Sequence, residues 1–263
     1  MKIITMFLVV ISLLFISCSN KSEVTFQLSN DLNLPMNQTT TIVLENHNGA
    51  HANVYTGETE TNTFTFIDFP KGTYTVKIKN KSFDDLTIAS LIVKSPKMTQ
   101  AVNLTTKVGS IITMAGIEWR ILEKQPNKVL LITQSLISYR SYDSINSDWE
   151  RSEIRRILNG DFFNNAPDQA KARIAETQVN TNGNNTTDKV FLLSTDEARK
   201  YFSSDADRIA RNQDGSGVWW WLRSPGNNGN IAAGVYGGGG IYMDSSYVYF
   251  TSGGVRPALW LKL

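Results

Sequence analysis

The chain contains few of the residues that enzymes and metal sites use most often. Its 263 residues include one cysteine, Cys18, and two histidines, His47 and His51. A single cysteine excludes a disulfide within the chain, and no thiol follows residue 18 for catalysis or metal binding. The histidines stand in an Asn- and Gly-containing, loop-like segment without an obvious third ligand, so we expect no metal there. No Gly-x-Ser-x-Gly elbow is present. These absences predict a protein that is not an enzyme and carries no cofactor.

An excess of charge of either sign is also missing. Lys and Arg number 26 and Asp and Glu number 24, for a net charge of +2, and no long basic block occurs. This balance argues against a nucleic-acid partner. The composition, 41% hydrophobic and 10% aromatic, is that of a globular chain long enough for one large domain or two smaller ones.

The N-terminus indicates the compartment. An apolar run, Ile3–Ile16, follows Met1-Lys2 and is too short for a transmembrane span. It ends in Ser17-Cys18, which resembles a bacterial lipobox. The resemblance implies a signal peptide over residues 1–20, lipidation of Cys18, and anchoring in the bacterial cell envelope, at the outer membrane and exposed on the surface. The alternative is an ordinary signal peptide with an incidental cysteine.

Residues 21–106 predict a small all-β module. Apolar and polar residues alternate in Val24–Leu28, Phe64–Ile67 and Thr73–Lys79, as in half-buried strands, and Pro70-Lys71-Gly72 supplies a turn. The segment Phe64–Lys79 resembles the prealbumin-like or carboxypeptidase-regulatory-like sandwich repeats of secreted bacterial proteins. In such proteins the module is usually a spacer, and we expect that role here.

After a junction near residues 105–110 the pattern changes. Two strands are predicted at Ile117–Leu122 and Val129–Thr133. An Asn/Gly-rich loop is predicted at Asn180–Asn185. Helical spacing and capping residues predict helices over Ser147–Gly160, Asp168–Ala175 and Thr195–Phe202. The expected fold class is therefore α+β for residues 107–263, preceded by the β-sandwich-like module.

The last fifth of the chain is the most informative part. Trp219–Gly226 and Gly253–Leu261 bracket a run of Asn, Gly, Tyr, Ser and Ala with almost no charge. Tyrosine offers a large contact area at low entropic cost, and Ser, Gly and Asn adapt, so this composition is typical of a binding surface. At least two of the three tryptophans at 219–221 should be buried.

Other residues of this region have structural and ligand-binding interpretations. Arg223 and Arg256 could bind an anion, but hydrogen bonds to loop carbonyls are favoured. Gly237–Gly240 predicts a turn and lacks the Lys-Ser/Thr of a phosphate loop. A calcium site formed by Asp205, Asp207 and Asp214 with Asn212 is the less favoured alternative to a solvated loop.

The two bracketing segments resemble those of bacterial domains with a C-type lectin fold of the formylglycine-generating-enzyme subtype. With the lipobox and the β-module, the chain is especially similar to the variable proteins of diversity-generating retroelements. The resemblance covers about residues 108–263. It implies a C-type-lectin-like domain with a variable region at about 227–252. The cysteines of the enzymes and the sugar-binding tripeptides of calcium-dependent lectins are absent from the sequence.

The residue types in this run offer a test of that resemblance, because such retroelements mutate adenines of the template. Adenine mutation of AAC codons cannot produce Lys, Glu, Gln, Met or Trp. Between Asn227 and Tyr249 these types occur once in 23 positions, at Met243, where the average of the whole chain predicts about four. Candidate scaffold residues are Ala232, Ala233, Val235, Ile241 and Val248. Candidate ligand-binding residues are Asn227, Asn228, Asn230, Tyr236, Tyr242, Asp244, Ser245, Ser246, Tyr247 and Tyr249.

These observations lead to one main functional hypothesis and two alternatives. The main one is a non-enzymatic, lipid-anchored surface receptor that displays a hypervariable face. Its expected partner is an unidentified macromolecule, with a protein as the first expectation, and membrane contact is through Cys18. The alternatives are a structural or assembly lipoprotein of the cell envelope and a carbohydrate-binding module.

Overall fold

A computed structural model describes residues 21–36, 38–46, 53–212 and 214–263. The signal peptide, Cys18, His47 and His51 lie outside these residues. Lipidation and the histidine loop therefore stay predictions. Within the described ranges, none of the helices has the length and hydropathy of a membrane span.

Two sheets pack face to face in the N-terminal part. One has the strand order β4-β1-β7 and the other the order β3-β2-β5-β6. β1 runs antiparallel to β4 and parallel to β7. The strands are β1 (Lys21–Asn30), β2 (Thr40–Asn46), β3 (Asn53–Thr59), β4 (Thr63–Pro70), β5 (Gly72–Asn80), β6 (Leu86–Val93) and β7 (Lys97–Leu104).

Alternation along these strands produces the core between the two sheets. Val24, Phe26 and Leu28 of β1 are buried, and each is followed by a less buried residue. They pack against Ile42 and Leu44 of the facing sheet. Burying each such side chain contributes roughly 1.5–3 kcal/mol, so the period-two pattern determines which face of each strand turns inward.

The segment after β1 ties this module to the rest of the chain. Asp31 accepts the backbone N–H of Thr106 at 3.1 Å and pairs with Lys124 at 2.5 Å. Leu32 is fully buried in the cluster that contains Trp119. Apolar packing and an ion pair thus join the two parts.

The C-terminal part contains two larger sheets and two short hairpins. The sheets have the orders β20-β10-β9-β8 and β11-β19-β16-β17-β18. The strands are β8 (Ile111–Met114), β9 (Ile117–Gln125), β10 (Lys128–Thr133), β11 (Ser138–Tyr139), β12 (Thr177–Thr181), β13 (Asn184–Asp188), β14 (Ala210–Arg211), β15 (Gly217–Val218), β16 (Trp220–Pro225), β17 (Ile231–Val235), β18 (Ile241–Tyr247), β19 (Gly254–Val255) and β20 (Ala258–Lys262). The helices are α1 (Glu153–Ile157), α2 (Asp168–Arg173), α3 (Thr195–Tyr201) and α4 (Asp205–Arg208), and a π-helical turn, Leu158–Phe162, continues α1.

The first predicted helix is much shorter than its pattern indicated. Helix α1 begins six residues after Ser147 and passes directly into the π-helical turn. The segment before it forms turns instead, because Asn146 accepts the backbone N–H of Asp148, and Asp148 accepts that of Glu150. Such side-chain bonds compete with helical ones. The second and third predicted helices are confirmed as α2 and α3, and a capping box of Ser194 and Glu197 begins α3.

The prediction of a loop at Asn180–Asn185 is wrong, because this segment forms a hairpin. Strands β12 and β13 pair antiparallel across it, and the turn consists of Asn182 and Gly183. Both have positive φ, +50° and +89°. Asn-Gly is the preferred pair for a two-residue hairpin turn because both positions need left-handed backbone.

The predicted fold class is also wrong. The structure is mostly β, with 51% strand and 12% helix in several sheets, and is not an α+β C-type lectin fold. The physical reason lies in the local competitors of helix formation: Asx turns replace half of the first helix, and an Asn-Gly hairpin replaces the loop. Short strands also form where aromatic and Gly-rich segments had no clear periodicity.

Candidate functional site

Five exposed aromatic side chains lie on strand β18 and in the segments that flank it, and together they are called here the aromatic face. They are Tyr236, Tyr242, Tyr247, Tyr249 and Phe250, each between 42% and 55% exposed. Large apolar side chains grouped on a surface commonly mark a binding site.

The rings contact one another in two groups. Tyr236 and Tyr242 meet edge to face with centroids 4.8 Å apart. Tyr247 and Tyr249 stack at 5.4 Å with an interplanar angle of 12°, and the ring of Phe250 lies edge-on to both. Stacking restricts the rotation of each ring, so the surface is partly ordered before any ligand arrives.

The scaffold beneath this face is built of small buried residues. Strand β17 contributes Ala232, Ala233 and Val235, all fully buried. Strand β18 pairs with it as the edge strand of the five-stranded sheet, and the register shifts between the pairs Ala232–Ser246 and Gly234–Tyr242. Met243, Asp244 and Ser245 of β18 therefore lie opposite a single residue of β17, Ala233. This irregularity places Tyr242 and Tyr247 on the exposed side of the same strand.

The turn between β17 and β18 is held from below. Gly239 has φ +86°, and a Cβ there would meet the backbone oxygen of Asp205. Arg208 donates from Nε to the Gly239 carbonyl at 2.8 Å, and Tyr236 donates its backbone N–H to the carbonyl of Gly240 at 2.9 Å. The turn thus fixes the two tyrosines on either side of it.

Polar groups accompany the rings. The Asn227 amide donates to the Asp244 carboxylate at 2.5 Å, and the Tyr236 hydroxyl donates to the backbone oxygen of Ser245 at 2.6 Å. Across the described part of the chain, the hydroxyls of Tyr242, Tyr247 and Tyr249 have no hydrogen-bond partner. These groups can exchange hydrogen bonds with a ligand.

The structure separates the ten candidate ligand-binding residues into three classes. Exposed ones are Asn227, Asn228, Asn230, Tyr236, Tyr242, Asp244, Tyr247 and Tyr249. Ser246 is half-buried, and Ser245 is buried. The prediction that Ser245 is displayed is wrong, because its hydroxyl packs against Gly234, where a Cβ would collide with it.

Sequence reasoning missed Phe250. In the alternation Tyr247-Val248-Tyr249, the exposed positions are the tyrosines, and a phenylalanine next to them would be expected in the core. Instead the chain turns after Tyr249: Phe250 donates its backbone N–H to the Tyr247 carbonyl at 3.0 Å. The Gly-containing segment that follows, at 252–254, is the signal that could have indicated this turn.

The structural roles expected for the two arginines are confirmed. Arg223 is buried and donates to the carbonyls of Leu192 and Asn180 at 2.8 and 3.0 Å, and it pairs with Glu197. Arg256 is buried and donates from Nε to the Thr133 carbonyl at 2.8 Å. Burial, with a contribution from the charge of Arg120, lowers the pKa of Arg256 to about 9.

The predicted burial of at least two of the three tryptophans is confirmed. Trp220 and Trp221 are fully buried, and Trp219 is half-buried.

The acidic side chains of the alternative calcium site interact with protein groups. Asp205 pairs with Arg208, and Asp207 and Asp214 accept hydrogen bonds from nearby serines. Among the described residues, no group of three or more His, Cys, Asp or Glu is arranged to hold a metal.

A family model, DUF6273, a domain of unknown function, matches residues 126–263, which is 138 of the 263 residues. The chain belongs to the DUF6273 family. The match contains the five-stranded sheet and the whole aromatic face. A search of curated proteins finds no match.

Solved structures give distant similarities to the DUF6273 chain. A DUF3823 family protein from Parabacteroides merdae ATCC 43184 is 13% identical, with 44% of this chain and 57% of that chain covered and a TM-score of 0.27. A proposed carbohydrate binding protein from Bacteroides uniformis ATCC 8492 is 14% identical, with 46% and 57% covered and a TM-score of 0.27. A DUF4876 family protein from Bacteroides thetaiotaomicron VPI-5482 is 13% identical, with 46% and 34% covered and a TM-score of 0.26. At these TM-scores the likeness supports no inference about fold or function.

Proposed function

We propose that this DUF6273 protein is a non-enzymatic binding protein that recognises carbohydrate through the aromatic face. The observation that carries the proposal is the stack of Tyr247 and Tyr249, edged by Phe250, on a rigid Gly- and Ala-rich sheet. The C–H faces of a sugar ring are apolar and pack flat against such aromatic rings. Its hydroxyls need hydrogen-bond partners, which the free tyrosine hydroxyls and the Asn227–Asp244 pair supply.

The proposed setting follows from the N-terminus. Lipid on Cys18 anchors the protein in the bacterial cell envelope, and the N-terminal sheets hold the aromatic face away from the membrane. Nucleic acid is not a proposed partner, because the charge of the chain is nearly balanced.

A glycan array probed with the full chain tests the proposal. Replacement of Tyr247 and Tyr249 by Ala should weaken binding to the retained glycan at least tenfold, which corresponds to about 1.4 kcal/mol. Tyr139 is the matched control, since it is 51% exposed and lies on β11, at the other edge of the same sheet. Tyr139→Ala should bind as the unchanged protein does. Absence of any retained glycan, or equal weakening by the control, would reject the carbohydrate proposal.

A second candidate is recognition of a protein partner by a diversified surface. The observation that favours it is the scarcity of Lys, Glu, Gln, Met and Trp between Asn227 and Tyr249, together with the exposure of eight of the ten candidate ligand-binding residues. Sequencing the 3′ end of the gene in many isolates distinguishes the two. Substitutions confined to residues of about 227–252 would favour a diversified surface, and an unchanging segment would favour a fixed ligand.

A further inference from the structure

A cleft lies at the edge of the five-stranded sheet that is remote from the aromatic face. Its volume is about 620 Å3, within the range of small-molecule sites. Strands β11 and β19 form one wall, through Ser138 and Val255, and α1 with the π-helical turn forms another. The aromatic face belongs to β18 and its flanking turns, at the opposite end of the strand order.

Three charged side chains line this cleft without protein partners. They are Arg140, Glu118 and Asp161. Among the described residues none of them makes a side-chain hydrogen bond or an ion pair, and the buried Nε of Arg140 has no partner. The guanidinium nitrogens therefore lie more than 4.0 Å from both carboxylates. Opposite charges that share a cleft without touching leave room for a ligand between them.

The backbone on both sides of the cleft is held firmly. Arg140 donates its N–H to the Gly253 carbonyl at 2.9 Å, and its own carbonyl accepts the indole N–H of Trp221, also at 2.9 Å. Across the cleft, Asn159 ties the π-helical turn to the strand-like segment at Val190, accepting its N–H at 3.2 Å and donating to its carbonyl at 2.9 Å. Single π-helical turns are rare and occur frequently at functional sites.

Aliphatic side chains, among them Leu136, Ile137, Ile154 and Ile157, form much of the remaining lining. Phe162, Asn165, Ser135 and Ser138 also contribute to it. A ligand that fits must carry a negative group for Arg140, a positive group for the carboxylates, and an apolar side chain. A simple monoanion does not fit, because Glu118 and Asp161 would repel it.

We propose that this cleft binds a free aliphatic α-amino acid as its zwitterion. The α-carboxylate pairs with Arg140, whose planar guanidinium suits two-point contact with a carboxylate. The α-ammonium is held by Asp161 and Glu118. The side chain packs against the isoleucines. This site is separate from the aromatic face and does not depend on carbohydrate binding.

Isothermal titration calorimetry of the full chain with L-leucine tests this assignment. Leucine should bind, whereas 4-methylpentanoate, which lacks the ammonium, and 3-methylbutylamine, which lacks the carboxylate, should bind at least tenfold more weakly. Arg140→Gln and Asp161→Asn should each weaken leucine binding at least tenfold, and Arg151→Gln, a change at an exposed arginine outside the cleft, should leave it unchanged.

Several outcomes would overturn the proposal. They are no heat with millimolar leucine, leucine binding unaffected by Asp161→Asn, and 4-methylpentanoate binding as tightly as leucine. Asp161 is exposed, so Asp161→Asn should fold normally. Its leucine affinity therefore tests the proposal even if Arg140→Gln lowers the melting temperature. Leucine binding that survives Tyr247→Ala would show that the two sites are independent.

Discussion

The glycine turn beneath Tyr236 and Tyr242 allows a sharp test of how the aromatic face is held. Gly239 has φ +86°, and the backbone oxygen of Asp205 occupies the place of a Cβ. Replacement by Ala would impose left-handed strain of roughly 1–2 kcal/mol. It would also push the turn away from Arg208, whose hydrogen bond to the Gly239 carbonyl is worth about 1.5–3 kcal/mol as a bond from a charged donor. We expect Gly239→Ala to lower the free energy of unfolding by about 3–5 kcal/mol.

The neighbouring glycine supplies the control. A Cβ on Gly238 would meet no atom within 4 Å, and its φ is not positive. Gly238→Ala should therefore change the free energy of unfolding by less than about 1 kcal/mol. Urea unfolding followed by tryptophan fluorescence measures both variants, because the transition reports on the buried Trp220 and Trp221. Equal midpoints for the two variants would refute the account of the turn.

Three further predictions concern stability. Gly183→Ala should lower the free energy of unfolding by only about 1–2 kcal/mol in urea unfolding, because φ is +89° but a Cβ there would meet no atom within 4 Å. A loss as large as that of Gly239→Ala would show that backbone strain alone, without a steric clash, accounts for the effect at both glycines. Asp188→Asn should lower the free energy of unfolding by about 3–5 kcal/mol, because Asp188 is fully buried and its charge compensates that of Arg155 at 2.6 Å. Thermal or urea unfolding measures this loss, and a change below about 1 kcal/mol would show that the ion pair is dispensable. Hydrogen bonds from Lys200 and other neighbours lower the pKa of Glu123 from 4.5 to about 2. The stability that the ionised carboxylate contributes is therefore present above pH 4.5 and is lost as the pH falls towards 2. Glu123→Gln should make the melting temperature change less with pH in that window, and an unchanged slope would contradict the assignment.

The sequence predicts the regular parts of the fold and misses the irregular ones. Alternation in Thr73–Lys79 predicted strand β5 with its buried face, and a capping residue at 194 or 195 followed by acidic residues predicted the start of α3. These patterns succeed because local propensity and burial agree. The first helix failed because side-chain acceptors such as Asp148 compete locally with helical bonds, and hydrophobic spacing does not show this competition.

The candidate site shows the same division. Which residues between 227 and 249 are exposed followed largely from their polarity and from the small apolar residues between them. Ser245 and Phe250 were missed because their placement depends on the register shift and on the turn after Tyr249. The register shift arises in the pairing of β18 with β17, and the segment after the turn is held by Arg140, which is distant in sequence and donates its N–H to the Gly253 carbonyl. The charged cleft was missed for a similar reason: Glu118, Arg140 and Asp161 come from three separate segments.

Burial and exposure divide the sheet into a part that supports binding and a part that can change. The buried Ser245 faces Gly234, which has no space for a Cβ, whereas Tyr242 and Asp244 on the same strand face outwards. A substitution at Gly234 must therefore move two strands, whereas a substitution at Tyr242 removes only a partly exposed ring. Since surface substitutions away from such constraints usually change stability by less than about 0.5 kcal/mol, the aromatic face can vary in ligand preference without loss of the fold. This holds whether the ligand is a glycan or a protein, because it depends on the scaffold alone.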